Sequence, residues 1–367
     1  MKKMINVLQF APGFLFGGIE SRMLDWYRNI DKEKVHFDLL KQNNNSNDTS
    51  KLDQLRVLGV NICNIPQFKY YNIISYCKSI NCFFEDNSTY NVVHSHSVTT
   101  GLFVQFYAKK YGIEKRILHS RTTRFDGNMF RRIISRIMCV FAQFYATDFF
   151  ACSEEAGRFA FGKKRKFTVI NNGIQIEKFC FDYKVRDIIR RDLCLTDCFV
   201  IGCVCRFSKP KNFPFMIDVV MKLIQTDSTI KLLLVGDGSL KNYIENRFRD
   251  NNFSDKLIIV GEKDNVWDYY FAMDVFFSPS LWEGFGTTAI EAQATGLPCV
   301  VSDHFPPSTK ITDYMFRVSL SDSIDLWTDT ILKTKNYRRD EKTVQKIAEA
   351  GFDAIEIAKQ LEIYYLS

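Results

Sequence analysis

"SLWEGFGTTAIEAQATGLPCVVSD", residues 280–303, decides how the chain is read. The short apolar run "VFFSPS" leads into it. "AIEAQAT" has helical character, and "GLPCVVSD" stops that helix and begins another strand. A strand that ends in a glycine-rich loop, feeds a helix and returns to a strand is a βαβ unit. Such units build parallel sheets with both faces covered. Two carboxylates, Glu283 and Glu291, flank the turn with seven residues between them. On residue type they are either two solvated acids around a turn or the edges of a site for a molecule bearing hydroxyls and phosphates.

Working outward, the same alternation fills the chain. Strand candidates in the first half are "INVLQF", "HFDLL", "VNICNI", "NVVHSHS", "RILHS", "DFFACS" and "FTVINN". In the second half they are "VIGCVC", "KLLLVG", "KLIIVG", "VFFSPS", "PCVVSD" and "YMFRVS". Helical periods such as "NFPFMIDVVMKLIQ" fall between them. This is more strand than one ordinary open sheet holds, so the expected architecture is α/β with two doubly wound domains. The weakly patterned "GIQIEKFCFDYKVRD" marks the boundary. The expected domains are 1–180 and 181–350, and the closing "GFDAIEIAKQLEIYYLS", 351–367, reads as one amphipathic helix.

With 367 residues, 46% hydrophobic and 25% charged, the chain can bury large cores. It holds no apolar run long enough to span a bilayer, and its first apolar run has no signal-peptide cleavage site. Eleven cysteines lie scattered without zinc-type pairs, some inside apolar strands such as Cys203 and Cys205. Reduced thiols in the cytosol are the expectation. The formal charge of +7 is uneven: residues 108–136 hold nine basic and two acidic side chains, and "KKRK" follows at 163–166. A one-sided basic region implies an anionic partner. No interleaved aromatic–basic motif accompanies it, so nucleic acid is not expected. "FRRIISRIMCVFAQFY", 130–145, carries arginines beside a nearly continuous apolar side. It fits a buried helix with a basic end or a helix lying in an anionic membrane surface.

In open α/β sheets ligands sit beyond the carboxyl ends of the strands, so the residues there carry the functional expectation. "FGGIES" sets Gly17 and Gly18 before a helix, where backbone amides approach phosphate. The spacing with Gly13 is not GxGxxG and no GK[ST] follows, which argues against a dinucleotide fold and a P-loop. "RFSKPKN" aims Arg206 and Lys211 at one spot, as a diphosphate requires. In "WEGFGTTAIE", Thr287 or Thr288 is expected to cap the helix, Glu291 to meet the two hydroxyls of a ribose, and Glu283 to bond a sugar. The amides of residues 284–288 would receive oxygen atoms. His94, His96 and His119 end strands of the first domain. His94 and His96 are expected to face opposite sides, so that at most one looks toward a ligand. With no neighbouring carboxylate, no metal site is expected, and His119 is a candidate donor to a bound sugar.

Taken together, these segments resemble the family-4 glycosyltransferases, retaining enzymes of the GT-B fold, and in particular their bacterial capsular and exopolysaccharide branch. The resemblance rests on "GGIESRMLDWYRNIDKEKVHFDLL", "NVVHSHS", "KRILHS", "ACSEEAGRFAFG", "VINNGIQIEKF", "RFSKPKNF", "LLLVGDG" and the long run from "IIVGEKDNV" to "CVVSD". It implies two facing Rossmann-like domains with a final helix crossing back to the first. It implies transfer of a hexose-type sugar from a nucleoside-diphosphate donor, UDP favoured and GDP the alternative, to a glycan or lipid-linked saccharide. No metal and no cofactor would be needed, the nucleotide-sugar being a substrate, and the site would be cytoplasmic or on the inner membrane face. The implied roles are Arg206, Lys211, Gly17, Gly18, Thr287 and Thr288 for the diphosphate, and Glu283, Gly284, Phe285 and Gly286 for the sugar. Glu291 would take the ribose, Asn265 and Val266 the base, and Glu283 and His119 the reacting sugar. Two departures stand out: "HSRT" at 119–122 where this branch often reads His-Ser-His-Asn, and Cys205 in place of a glycine. A nucleotide-sugar epimerase and a non-catalytic nucleotide-sugar-binding scaffold are the rivals.

Overall fold

A computed structural model describes residues 4–13, 18–43, 50–125 and 127–367. The chain divides into two compact units. Unit 1 is Met1–Gln175 with Gly351–Ser367, and unit 2 is Ile176–Ala350. The second unit is therefore inserted between the body of the first and its last helix.

Unit 1 holds β1 (Ile5–Ala11), β2 (Val35–Gln42), β3 (Asn61–Ile65), β4 (Val92–Ser95), β5 (Lys115–Ser120), β6 (Asp148–Ala151) and β7 (Thr168–Val169). They form one parallel sheet in the order β3-β2-β1-β4-β5-β6-β7. Unit 2 holds β8 (Phe199–Val204), β9 (Ile230–Val235), β10 (Leu257–Ile259), β11 (Val275–Ser278), β12 (Cys299–Ser302) and β13 (Met315–Val318). Its order is β10-β9-β8-β11-β12-β13, again parallel throughout. Each strand run read from the sequence is a strand here. The central ones, such as "VVHS" and "FVIGCV", are buried along their whole length, as strands covered on both faces must be.

Close packing sets some residue choices. A Cβ on Gly202 of β8 would meet the Met273 sulfur at 2.1 Å, so only glycine fits there. The closing helix, Ala354–Leu366, starts where Asp353 accepts a hydrogen bond from the Ile355 amide, after Gly351 turns the chain at φ +82°. Its Ile357, Ala358, Leu361 and Tyr365 pack into one core of unit 1 with Trp26, Tyr27, Phe37 and Phe150. No helix among the described residues is long and apolar enough to cross a membrane.

Candidate active site

In unit 2 the strand order reverses between β8 and β11, which leaves a crevice at their carboxyl ends. Arg206 and Lys211 follow β8. Ser280 to Gly286 follow β11. The Leu281 amide donates to the Pro210 carbonyl at 2.8 Å and ties the two loops together. Lys211 Nζ lies 2.6 Å from Glu283 Oε1, and the Ser280 hydroxyl donates to the same oxygen at 2.7 Å. These side chains are only 16% and 10% exposed for Lys211 and Glu283. Burial opposes the lysine charge, but the Glu283 carboxylate and the Cys205 thiol outweigh it and raise the ammonium to about 12. The ammonium is thus charged and faces the carboxylate. The sequence reading put Lys211 on a diphosphate and Glu283 on a sugar, whereas the structure also binds them to each other. Arg206 is exposed on the same loop.

Glu291 is 9% exposed, with the Tyr270 hydroxyl 3.0 Å from its Oε2. Burial, with the Glu291 carboxylate beside it, raises the Tyr270 phenol well above its ordinary value, so it remains a donor. Tyr270 and Ser280 escaped the sequence reading.

The helix Thr287–Ala294 starts differently from expectation. Gly286 is its N-cap in the left-handed conformation, and no side chain caps it; Thr287 and Thr288 are its first two residues. A Cβ at Gly286 would lie 2.5 Å from the Phe305 ring, and its φ of +85° disfavours other residues. Gly286, with no side chain, puts no capping oxygen on the first-turn amides, which have no intrahelical acceptor. Phe285 is buried beneath the turn. Asn265 precedes the helix Val266–Ala272 and donates to Asp268 Oδ2 at 2.6 Å, with Val266 partly exposed at the helix start.

In unit 1 the reversal lies between β1 and β4. His94 is the last residue but one of β4 and His96 follows that strand; His119 is the last residue but one of β5 and Arg121 follows that strand. The expected divergence of His94 and His96 is wrong. Side chains two apart on a strand share a face, and the nitrogens of His94, His96 and His119 lie within 4.8 Å of one another. All three rings are buried. Burial and the Arg121 charge hold all three imidazoles well below their ordinary value, so they are neutral. As arranged, they bond one another and their neighbours. His94 Nε2 meets His119 Nδ1 at 2.9 Å, and His94 Nδ1 meets the Tyr365 hydroxyl at 2.6 Å. His96 Nε2 meets Gln9 Oε1 at 2.9 Å. Trp26, Tyr365 and Gln9 complete this cluster, and their positions in the sequence carried no signal for it. Gly18 opens the helix Gly18–Asn29 beyond β1, while Gly17 lies outside the described residues.

Residues 185–351 match the sequence profile of the family described as "Glycosyl transferases group 1". Unit 2 thus carries the sequence profile of the group 1 glycosyltransferases. It is 29% identical, over 99% of its length and 97% of the relative's, to a Bacillus subtilis protein named as the glycosyltransferase EpsF. Over 58% of each chain it is 28% identical to an Escherichia coli UDP-Gal:alpha-D-GlcNAc-diphosphoundecaprenol alpha-1,3-galactosyltransferase. Anabaena HepE, solved with UDP-glucose, superposes with a TM-score of 0.78 over 98% of this chain and 99% of that one at 16% identity. The chain accordingly has the GT-B fold, with one Rossmann-like sheet in each unit.

Proposed function

We propose that the protein moves a hexose from a UDP-sugar to a hydroxyl of a lipid-linked or growing surface saccharide, with retention at the sugar carbon and without a metal. The pairing of Lys211 with Glu283 beside Glu291 and Tyr270 at the β8/β11 reversal carries this reading. The leaving group is a diphosphate, so the reaction is accelerated by charge that meets it in place. Arg206, Lys211 and the open helix start at Thr287 and Thr288 would supply that charge. Glu291, fixed by Tyr270, would take the ribose hydroxyls, and Asn265 and Val266 would face the base. Glu283, Gly284, Phe285 and Gly286 would hold the sugar. UDP is favoured over GDP because HepE is seen with UDP-glucose and the E. coli relative is named for UDP-Gal.

The test is stabilisation of the purified protein by UDP, GDP, ADP and their sugar conjugates. A ligand that binds only the folded state must raise its stability. UDP and UDP-hexoses are expected to raise the melting temperature, and Glu291→Ala to weaken UDP binding about 10- to 100-fold. A GDP-selective shift overturns the donor, and UDP affinity unchanged in Glu291→Ala overturns the ribose role. Sugar release without an acceptor as an epimer, rather than as a glycoside, would favour an epimerase.

We also infer that unit 1 docks on the inner face of an anionic membrane through the helix Met129–Tyr145. Only Met138, Cys139 and Ala142 of this helix are buried. Phe130, Ile133, Ile137, Phe141 and Phe144 are exposed, the outermost by 69–70%. Arg131 and Arg132 on the same helix and the run Lys163–Lys166 are also exposed. An apolar stripe flanked by cations suits the boundary between anionic headgroups and acyl chains. Vesicle flotation is expected to retain the protein with anionic lipid and to release it with zwitterionic lipid. Equal partition between the two would overturn the docking.

A further inference from the structure

The hydrogen bonds around the three histidines run in one direction, and Arg121 sets it. An arginine can only donate. Its Nη2 lies 3.3 Å from His96 Nδ1, so that nitrogen is the acceptor and the neutral ring carries its proton on Nε2. His96 Nε2 then donates to Gln9 Oε1, which turns the Gln9 amide nitrogen toward Tyr365 at 3.2 Å. The Tyr365 hydroxyl accepts from Gln9 and donates to His94 Nδ1. His94 therefore donates from Nε2 to His119 Nδ1. The proton of His119 is left on Nε2, and that buried nitrogen has no partner among the described residues.

The chain of bonds ends in an unmet donor, and it begins at another. Arg121 Nε is buried and likewise has no partner among the described residues. The rest of the guanidinium is held: Nη1 donates to Asn172 Oδ1 at 2.5 Å, and its plane lies 4.9 Å from the Trp26 ring centre. His119 stacks on the same indole, with the ring planes 12° apart. Among the described residues no carboxylate pairs with Arg121, and Arg22 adds a second positive charge to its surroundings. A guanidinium fixed without a counter-ion, next to a second unmet donor, is costly for the protein alone. Each unmet group is an N–H, so what completes the set must bring oxygen acceptors and negative charge.

We propose that Arg121, with His119, receives an anionic group, a carboxylate or a phosphate, on the sugar substrate that unit 1 handles. That this anion sits on a substrate of sugar transfer rests on the function proposed above; that Arg121 and His119 take an anion does not. Arg121 is the selecting residue, because its guanidinium both carries the charge and fixes which nitrogen His119 offers.

Titration of the whole protein with glucuronate, glucose 6-phosphate, inorganic phosphate and glucose tests this, with the Arg Nε–H resonances as readout. Glucuronate or glucose 6-phosphate is expected to bind about tenfold tighter than glucose and to move one Arg Nε–H signal. Whichever binds better names the group, carboxylate or phosphate. Inorganic phosphate matching glucose 6-phosphate would locate the recognition in the anion rather than the sugar, and supports anion binding by Arg121 and His119. Arg121→Gln should erase the preference, and Arg121→Lys should keep part of it, since an ammonium has charge without the planar fork. No preference for either anionic sugar over glucose in the wild type overturns the proposal, as does a preference that survives in Arg121→Gln. UDP binding, followed in the same samples, reports on the transferase reading separately. Its loss in the wild type would remove the transfer and leave the anion result standing.

Discussion

The two units place their polar clusters at the same point of the same kind of sheet and fill it with opposite chemistry. Beyond β8 and β11, the lysine is matched by a carboxylate and the second carboxylate by a phenol. Beyond β4 and β5, three neutral imidazoles adjoin an arginine that pairs with no carboxylate among the described residues. The contrast shows that the strand reversal supplies only a place. Which ligand fits depends on which charges are already answered from within, and unit 2 answers its own while unit 1 leaves two donors open.

The largest expected effect comes from breaking the matched pair. Lys211→Ala strands the Glu283 carboxylate at 10% exposure. Loss of one partner of such a pair costs about 3 kcal/mol, which lowers the melting temperature of a unit of this size by roughly 6–12 °C. Calorimetry checks it, and a change under one degree would show that water already screens the pair. Lys211→Ala with Glu283→Gln should regain part of the loss, because the stranded charge is gone.

Acid should separate the units next. The imidazoles of His94, His96 and His119 are held well below their ordinary value, so the unfolded chain binds protons there that the folded unit refuses. Stability must then fall as pH drops below about 6.5, by up to roughly 4 kcal/mol per pH unit if all three act. In unit 2, Lys335 and then Thr229 hold the Asp227 carboxylate down to about 2. That exposed contribution is present above the ordinary carboxylate range and disappears as pH falls toward 2. Hydrogen exchange between pH 7 and 5 should therefore loosen β4 and β5 while β8 and β11 stay protected. Equal protection across that interval would show that the histidines find protons or water without opening the core.

The smallest effect is expected on the exposed helix. Phe130, Ile137 and Phe144 changed together to serine should alter unfolding stability by only about 0.5 kcal/mol each or less, since they are exposed. The same variant should lose vesicle binding. A large stability loss would mean that the stripe packs on protein instead.

Much of the fold was legible. Runs such as "VIGCVC" and "KLLLVG" read as strands because length and burial on both faces leave them little else to be. The site was legible only where function is written in consecutive residues, as in "WEGFGTTAIE". The Lys211–Glu283 pair joins loops far apart in sequence, and spacing does not record such meetings. The cap was missed because Thr287 and Thr288 are good capping types, while the left-handed turn that Gly286 needs shows itself only against Phe305. The histidine cluster needed the strand period applied to His94 and His96, and it also needed Tyr365 from the far end of the chain. The 130–145 segment stayed open because its pattern suits either environment; exposure, not periodicity, distinguishes them.

Tyr365 has a consequence for synthesis. It supplies the hydroxyl that links Gln9 to His94, and the helix around it fills a core built by residues up to Phe150. A nascent chain that has emerged through residue 175 has all seven strands of its first sheet and cannot yet close that core. At roughly 5–20 residues per second it waits about 10–40 s, while unit 2 is translated and free to fold, before residues 354–366 exist. For that interval Trp26, Phe37 and Phe150 present apolar surface to solvent, so the first-made unit is the last to be finished.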